Sequence, residues 1–480
     1  MDVLIAGAGP TGLTLALDLA RRGVRCRIVD QAPAVQVGSR GRGLQPRTLE
    51  VLDDLGLVDA VIAHGGPYPP LRVHQDGQVV WEGAMSERIA PSPDVPYPNL
   101  WMVPQWRTVG LLRDRLAELG VRVEPGAALT AMEQDTAGVT VTLNDSERVR
   151  VGWLVGADGG RSATRRLLGV PFEGTSDETV RVLVADVRVE GLARDTWHLW
   201  RPADDPKAMI GLCPLPGTDA FQLTIPNPSC DLSTLETIAG YVAQRTGRAD
   251  LRLTEVLWQS EWRPNIRLAT RFRVGRVFLA GDAAHVHPPA GGQGLNTGVQ
   301  DAYNLGWKLG AVLAGAPDSL LDSYEAERLP VAAHVLGLSD RLLQAAVKSQ
   351  GDPAVLQRGM DERQLGITYR DGPLARDDRD RPGTVVAGDR APDGPVGDGR
   401  RLFDVFRGPQ FTLLGFGVDA GVRVTDPEAF RIYDVDGGTL ILVRPDGYIG
   451  AIARDRATIE RYMAEIGPVD PARSRTARGD

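Results

Sequence analysis

Cysteine is scarce in this chain. Its three copies, Cys26, Cys213 and Cys230, stand far apart and form no CxxC pair. That spacing argues against a disulfide framework and points to a reducing cytoplasm. An excess of basic charge is missing too: the net charge is −8, so nucleic acid is not an expected partner. Residues 1–9 lack the charged start and apolar core of a signal peptide, and no apolar run is long enough to span a bilayer, so no membrane partner is expected either. His285 and His287 form an HxH pair, but no further His or Cys stands near them in sequence, and no metal site is expected. What is present is ordinary for a soluble globular protein: 42% hydrophobic and 24% charged residues in 480. That length predicts two or three domains.

The chain is organised around residues 275–309, GRVFLAGDAAHVHPPAGGQGLNTGVQDAYNLGWKL. A buried strand at Val277–Ala280 leads to Gly281-Asp282. Pro288, Pro289, Gly291, Gly292 and Gly294 follow, and helical spacing begins at about Leu295. Glycines let a ligand approach the backbone, and the N-terminus of a helix offers unpaired N–H groups at the positive end of its dipole. An ionised Asp282 only accepts hydrogen bonds, so it suits a ligand hydroxyl rather than a phosphate.

The N-terminus carries the complementary pattern. Residues 3–6 read as a strand, then Gly7, Gly9 and Gly12 form GxGxxG with Pro10 and Thr11 inside it. A helix and a second strand ending at Asp30-Gln31 follow. Strand, glycine turn, helix, strand and acid together are the context a dinucleotide fingerprint requires. Pyrophosphate then sits at the helix start, and Asp30 faces ribose hydroxyls. The basic stretch RGRGLQPRTLE at 40–50 makes Arg40, Arg42 and Arg47 candidates for pyrophosphate or ring-edge contacts. Gln105 opens an amphipathic helix over 105–119. Asp158, in GADGGRSATRR, either meets a ligand or caps the next helix.

Strands are expected at Leu129–Met132, Val139–Leu143 and Val149–Val155. Val180 to Ile225 is dominated by strand patterns, with a helix at Leu235–Arg245 and a strand at Leu251–Ser260 after it. This block suits a sheet laid over a cofactor, with residues 67–101 adding to a lid. Trp81, Trp101, Trp197, Trp200, Trp258 and Trp262 are candidate walls for a large aromatic guest. A long helix over 319–349 should be interrupted near Pro330, and 372–399 reads as a linker. Beyond it come strands at Phe411–Phe416 and Phe430–Tyr433, a hairpin turning at Asp446-Gly447, and a helix at Ala457–Ile466.

Gly7-x-Gly9-x-x-Gly12, Asp158-Gly159-x-x-Ser162-x-x-Arg165, and Gly281-Asp282 through Gly294 occur in order, the last unbroken to Lys308. In this the chain resembles the class A flavin-dependent monooxygenases, the para-hydroxybenzoate hydroxylase family. It looks closest to the branch of aromatic polyketide hydroxylases and phenol and rifampicin monooxygenases. The resemblance covers about residues 1–345 well and the rest loosely.

It implies an α/β (mixed α+β) fold: a Rossmann-like FAD-binding domain over 1–170 and 269–371, an inserted substrate sheet over 171–268, and a thioredoxin-like C-terminal domain over 372–480. That last module has no cysteine, which excludes thiol redox chemistry there. The implied cofactors are FAD and NADPH or NADH; no second GxGxxG exists, so nicotinamide would dock transiently. The implied partners are O2 and an aromatic substrate, in a monomer or homodimer.

By the same resemblance, Gly7 to Gly12 hold the ADP half of FAD. Arg40 and Gln105 touch FAD, Asp158 serves FAD and NAD(P)H, and Asp282 meets the ribityl chain. Residues 288–296, with Pro289, Gly292, Gly294, Leu295 and Asn296, lie beside the isoalloxazine. Asp30 departs from the Glu usual in the branch and shortens the arm toward ribose. The implied reaction is hydroxylation of a phenol through a flavin C4a-hydroperoxide, and no protein nucleophile or acid–base pair is required. The rivals are a Baeyer–Villiger or rifamycin-modifying oxygenase on the same frame, and a flavin-bearing binding protein without turnover. A halogenase fits less well, since Trp262-Arg263-Pro264 does not match its motif.

Overall fold

The computed structural model describes residues 1–35, 37–176, 180–202, 209–263, 265–287, 291–348 and 359–467. Its first layer is a six-stranded sheet ordered Arg273–Val274, Val277–Leu279, Trp153–Gly156, Val3–Ala6, Cys26–Asp30, Val123–Pro125. Every pairing is parallel except that of the short edge strand Arg273–Val274. Val3, Leu4 and Ile5 have no exposed surface, as expected for strands covered on both faces. The register pairs Ala6 with Gly156, and Gly156 with Leu279. Three strands therefore end side by side, and the three motifs that follow them must converge there.

Helix Pro10–Arg21 starts with proline in its first turn, where the missing N–H is not needed. It packs against helix Gly294–Leu313 at very short range. A Cβ on Gly298 would lie 2.4 Å from Thr11 Oγ1, and one on Gly306 would lie 2.3 Å from Asp18 Oδ2.

The second layer is a seven-stranded sheet ordered Arg252–Trp262, Val182–Glu190, Ala220–Pro226, Ile210–Pro214, Trp197–Trp200, Leu71–Gln75, Gln78–Gly83. Helix Leu235–Thr246 buries Ile238, Tyr241 and Val242 against this sheet. A capping box of Thr234 and Thr237 starts it, and Gly247, in the left-handed region at φ 63°, stops it. The third layer is a mixed five-stranded sheet, Arg376–Asp377, Ile449–Ala453, Leu440–Val443, Thr412–Phe416, Val422–Val424, with helix Arg456–Ile466 beside it. The fold is thus the mixed α/β class expected. Among the described residues, no helix is long and apolar enough to cross a membrane.

Four local expectations are corrected. The strand expected over 149–155 is two, Glu147–Val151 and Trp153–Gly156, in different sheets. Gly152 lies between them, where a Cβ would come 2.9 Å from the Asp2 carbonyl oxygen. Residues 430–433 are helical, within Pro427–Tyr433, because Asp426 caps the Glu428 N–H and Pro427 opens the turn. Pro330 lies inside the continuous helix Asp322–Lys348. The buried ion pairs of Glu327 and Arg328 anchor the turn before it, offsetting the ~3 kcal/mol a mid-helix proline costs. The stretch 372–399 is no bare linker: Ala387, Ala391 and Val396 are buried in the core of the C-terminal sheet.

That C-terminal layer is joined to the first by charge. Glu327 accepts from Lys308 Nζ at 2.7 Å and from Arg444 Nη1 at 2.7 Å, all three side chains being fully buried. Asp446 accepts from Arg444 at 2.5 Å and from the Trp307 indole N–H at 3.0 Å. Burial alone would raise the Glu327 carboxyl, but Arg444 and Lys308 hold it down to about 2 from an ordinary 4.5. A carboxyl with a depressed native pKa stabilises fully above its unfolded value and loses that contribution as pH falls through the native one. Replacing Glu327 with Leu should lower the unfolding free energy in urea by about 3–5 kcal/mol at neutral pH. The variant should also flatten the loss of stability between about pH 4.5 and 2.

Candidate active site

A cavity of about 1460 Å³ opens where the three strand ends meet. It exceeds the roughly 300–1,000 Å³ common for one small ligand, so it has room for a dinucleotide and a second guest. Gly7, Gly9, Pro10, Thr11, Asp30, Gln31, Arg40, Gln105, Asp158, Asp282, Gly292, Gly294 and Leu295 all line it. Residues remote in sequence thus share one surface. Gly12, Gly281 and Asn296 stand behind that surface, and Pro288 and Pro289 lie outside the described residues.

The three glycines of the first motif do different work. Gly7 sits at φ +107° and a Cβ there would meet the Ala157 carbonyl oxygen at 2.2 Å. A Cβ on Gly12 would meet the Gly7 carbonyl oxygen at 2.0 Å. These two let strand, turn and helix close on each other. Nothing lies within 4 Å of a Cβ on Gly9, so that position is the open face of the cradle. The Asp30 carboxylate accepts from the Ala8 N–H at 2.7 Å and the Ala32 N–H at 2.8 Å, which ties the glycine turn to the second strand.

Asp158 accepts from Ser162 Oγ at 2.5 Å and the Thr164 N–H at 2.9 Å, so its side chain caps the following helix while also lining the cavity. In the third motif, Asp282 is open to the cavity. Enclosure by protein raises its carboxyl above the ordinary range, opposed by His285 and Arg40. Behind it, fully buried Asp301 accepts from the Gly281 N–H at 3.0 Å, His285 Nε2 at 2.6 Å and Arg328 Nε at 2.7 Å. His285 is spent on that contact. Asn296 accepts from the Gln45 N–H at 2.8 Å and donates to the carbonyls of Gly43 and Gly292 at 2.9 and 2.7 Å. It fastens the glycine loop to the arginine-bearing segment.

Gln105 Oε1 accepts from the Gly41 N–H at 2.8 Å and so positions the loop carrying Arg40 and Arg42, both on the cavity wall. Arg47 is corrected: it is buried away from the cavity, bound to Glu50 at 2.7 Å and the Asp446 carbonyl at 2.7 Å. Of the candidate tryptophans, Trp197, Trp258 and Trp262 line the cavity. Trp81 lies on the outer strand Gln78–Gly83 and Trp101 packs by Gly65, while Trp200 stacks on His74.

Sequence reasoning missed Arg363, which lines the cavity and donates to the carbonyls of Pro98 at 2.9 Å and Glu87 at 3.1 Å. It pins the 85–100 segment over the site. Its short turn, Asp361–Arg363, has no periodicity that would have marked it.

These residues fit FAD: an open glycine cradle, two helix starts, a guanidinium and carboxylates for hydroxyls surround one long cavity. Fold and cavity together define a dinucleotide-binding α/β protein. The FAD binding domain model matches residues 1–339, and the chain belongs to this family of FAD-dependent monooxygenases. It is 47% identical to a flavin-dependent monooxygenase of Mycobacteroides abscessus, across 97% of this chain and 100% of the relative. It is 36% identical to the 6-methylpretetramide 4-monooxygenase of Streptomyces rimosus, across 94% of this chain and 90% of that one. The crystal structure of the flavin-dependent monooxygenase PieE in complex with FAD and substrate superposes with a TM-score of 0.82 at 25% identity, covering 97% of this chain and 98% of that one.

The two kinds of glycine separate by substitution. Gly9→Val should unfold within about 0.5 kcal/mol of the parent protein, since nothing lies within 4 Å of a Cβ at that position, yet lose FAD uptake followed by flavin fluorescence. Gly12→Val should instead lower the melting temperature of the apoprotein itself.

Proposed function

We propose that the chain is an NAD(P)H-consuming, FAD-dependent hydroxylase of an aromatic, phenolic, polyketide-like substrate. One observation carries this reading. A single cavity is walled on one side by the glycine and carboxylate motifs and on the other by Trp197, Trp258, Trp262 and Val184 of the seven-stranded sheet. The names of the Streptomyces rimosus relative and of PieE, solved with FAD and substrate, support it. In this reading the ADP half of FAD lies along Gly7, Gly9, Pro10, Thr11 and Gly12, with Asp30 and Gln31 at the ribose. Arg40, Gln105 and Asp158 serve the middle. Asp282 and Gly281 take the ribityl chain. Gly292, Gly294 and Leu295 frame the ring, and Asn296 fastens their loop from behind.

When bound, FAD would supply the redox and oxygen chemistry. The chain's own contribution is placement. Helix Gly294–Leu313 starts at the cavity, and its unpaired N–H groups and positive dipole end favour negative charge on a ring seated there. The tryptophan wall and the 85–100 segment exclude water and hold an arene in register. Orientation of that kind is worth ~7 kcal/mol or more. No side chain is assigned as acid, base or nucleophile. The seven-stranded sheet and residues 67–101 act as the substrate domain, in a cytoplasmic enzyme.

The test is NADPH or NADH oxidation by the FAD-loaded protein over a panel of phenols and polycyclic hydroxyarenes under heavy-isotope O2. Substrate-stimulated consumption with one labelled oxygen on the ring is expected. A ring-expanded ester would instead identify a Baeyer–Villiger oxygenase, and tight binding without labelled product a sequestering protein.

A further inference from the structure

On the sheet side of the cavity stands a cation that the cofactor reading leaves unused. Arg42 lines the cavity, and its guanidinium lies over the face of Trp197, 4.3 Å from the ring centroid. It donates to the neutral amide oxygen of Gln222, whose own amide N–H donates to the Ser39 carbonyl, and it also hydrogen-bonds the Tyr68 side chain. Gln222 and Trp258 flank Asp186 in one row across the sheet, and both line the cavity. The groups that titrate around Arg42 are Tyr68, the Cys213 thiol and the Asp186 carboxyl. Burial pushes the Cys213 thiol up, and it pushes the Asp186 carboxyl up to about 6. At neutral pH the Asp186 carboxyl is still largely ionised and favours the charged guanidinium, but among the described residues no carboxylate reaches ion-pair distance of Arg42, and its hydrogen-bond partners are neutral.

A guanidinium carries five N–H donors and is costly to take out of water unless charge answers it. The Trp197 ring and the Gln222 amide orient the group but do not neutralise it. On the cavity side its donors stand beside Trp197 and Trp258, a wall that suits an anionic oxygen carried on a flat ring.

We infer that Arg42 is a substrate-positioning and specificity residue that holds a ring hydroxyl of the substrate as its oxyanion, the proton leaving to bulk water. This rests on the hydroxyarene reading above and deepens it: the preferred guests are acidic hydroxyarenes and enols, and their methyl ethers are rejected. Gln222 and Trp197 keep the guanidinium aimed.

The probe is 1,2-dihydroxyanthraquinone, whose colour reports its ionisation, titrated on the FAD-loaded enzyme. In the parent protein the bound dye should turn to its anion about one to three pH units below its transition in buffer. Arg42→Met should bring the bound dye back toward its buffer value, whereas Arg42→Lys and Asp186→Asn should keep most of the shift. The dye's dimethyl ether, 1,2-dimethoxyanthraquinone, should bind at least tenfold more weakly than the dye to the parent protein and equally to Arg42→Met. FAD absorbance of each variant reports that it is folded and loaded. Failure of the dye to bind, an unshifted titration in the parent protein, or the same shift in Arg42→Met would overturn the assignment. A shift that behaves as expected in a protein that hydroxylates nothing would sink only the hydroxylase reading.

Discussion

The carboxylate of Asp301 is fully buried, and three groups converge on it: the Gly281 N–H, the His285 ring and the Arg328 guanidinium. Burial alone would raise this carboxyl, yet Arg328 and His285 hold it down to about 2. An unanswered charge at this depth would be intolerable, so the partners and the carboxylate specify one another's positions. The consequence lies one residue away. Gly281 is fixed at the strand end, and Asp282 beside it is thereby turned toward the cavity. Arg328 also donates to the Thr297 carbonyl at 3.1 Å and the Tyr369 hydroxyl at 2.9 Å. The same guanidinium thus binds the start of the long cavity-facing helix.

Glu327 and Arg328 are neighbours on one turn and serve two different assemblies. Arg328 looks to Asp301 and, through it, the Gly281 turn; Glu327 looks to Lys308, Arg444 and the C-terminal sheet. A single turn of helix Asp322–Lys348 therefore couples the site to the module farthest from it in sequence. The C-terminal layer is held by buried charge as well as by apolar packing, with Trp307, Phe411 and Tyr462 in the shared core. Buried ion pairs of this kind add less net stability than their distances suggest, because desolvation opposes them. Their value is in specificity of arrangement: a shifted register would strand a charge.

Much of the cavity wall was legible before the structure. Gly7, Asp30, Asp282 and Gly294 belong to patterns whose local grammar is complete: strand, glycine turn, helix start, carboxylate. Backbone sterics and helix electrostatics act over a few residues, so such patterns survive in one dimension. Gly9 and Gly12 could not be told apart that way. Their difference is a question of what stands opposite, open space for one and the Gly7 carbonyl for the other. Asp158 offered two local readings, and its bonds to Ser162 and Thr164 supply the cap while its position supplies the wall. Arg363 was invisible because its importance comes from carbonyls at Glu87 and Pro98, on a distant segment.

The amino-acid sequence alone determined the dinucleotide signature, the order of the motifs and most of the strands and helices that carry them, and through the family they resemble it pointed to the fold class. The local patterns rest on interactions between near neighbours. Tertiary structure decided the rest: that three strand ends lie abreast, that Arg47 is a buried brace while Arg42 faces the cavity, and that three of the candidate tryptophans wall it. Those outcomes depend on packing and on where each buried charge finds its partner, and a side chain's partner across the core leaves no periodic trace along the chain.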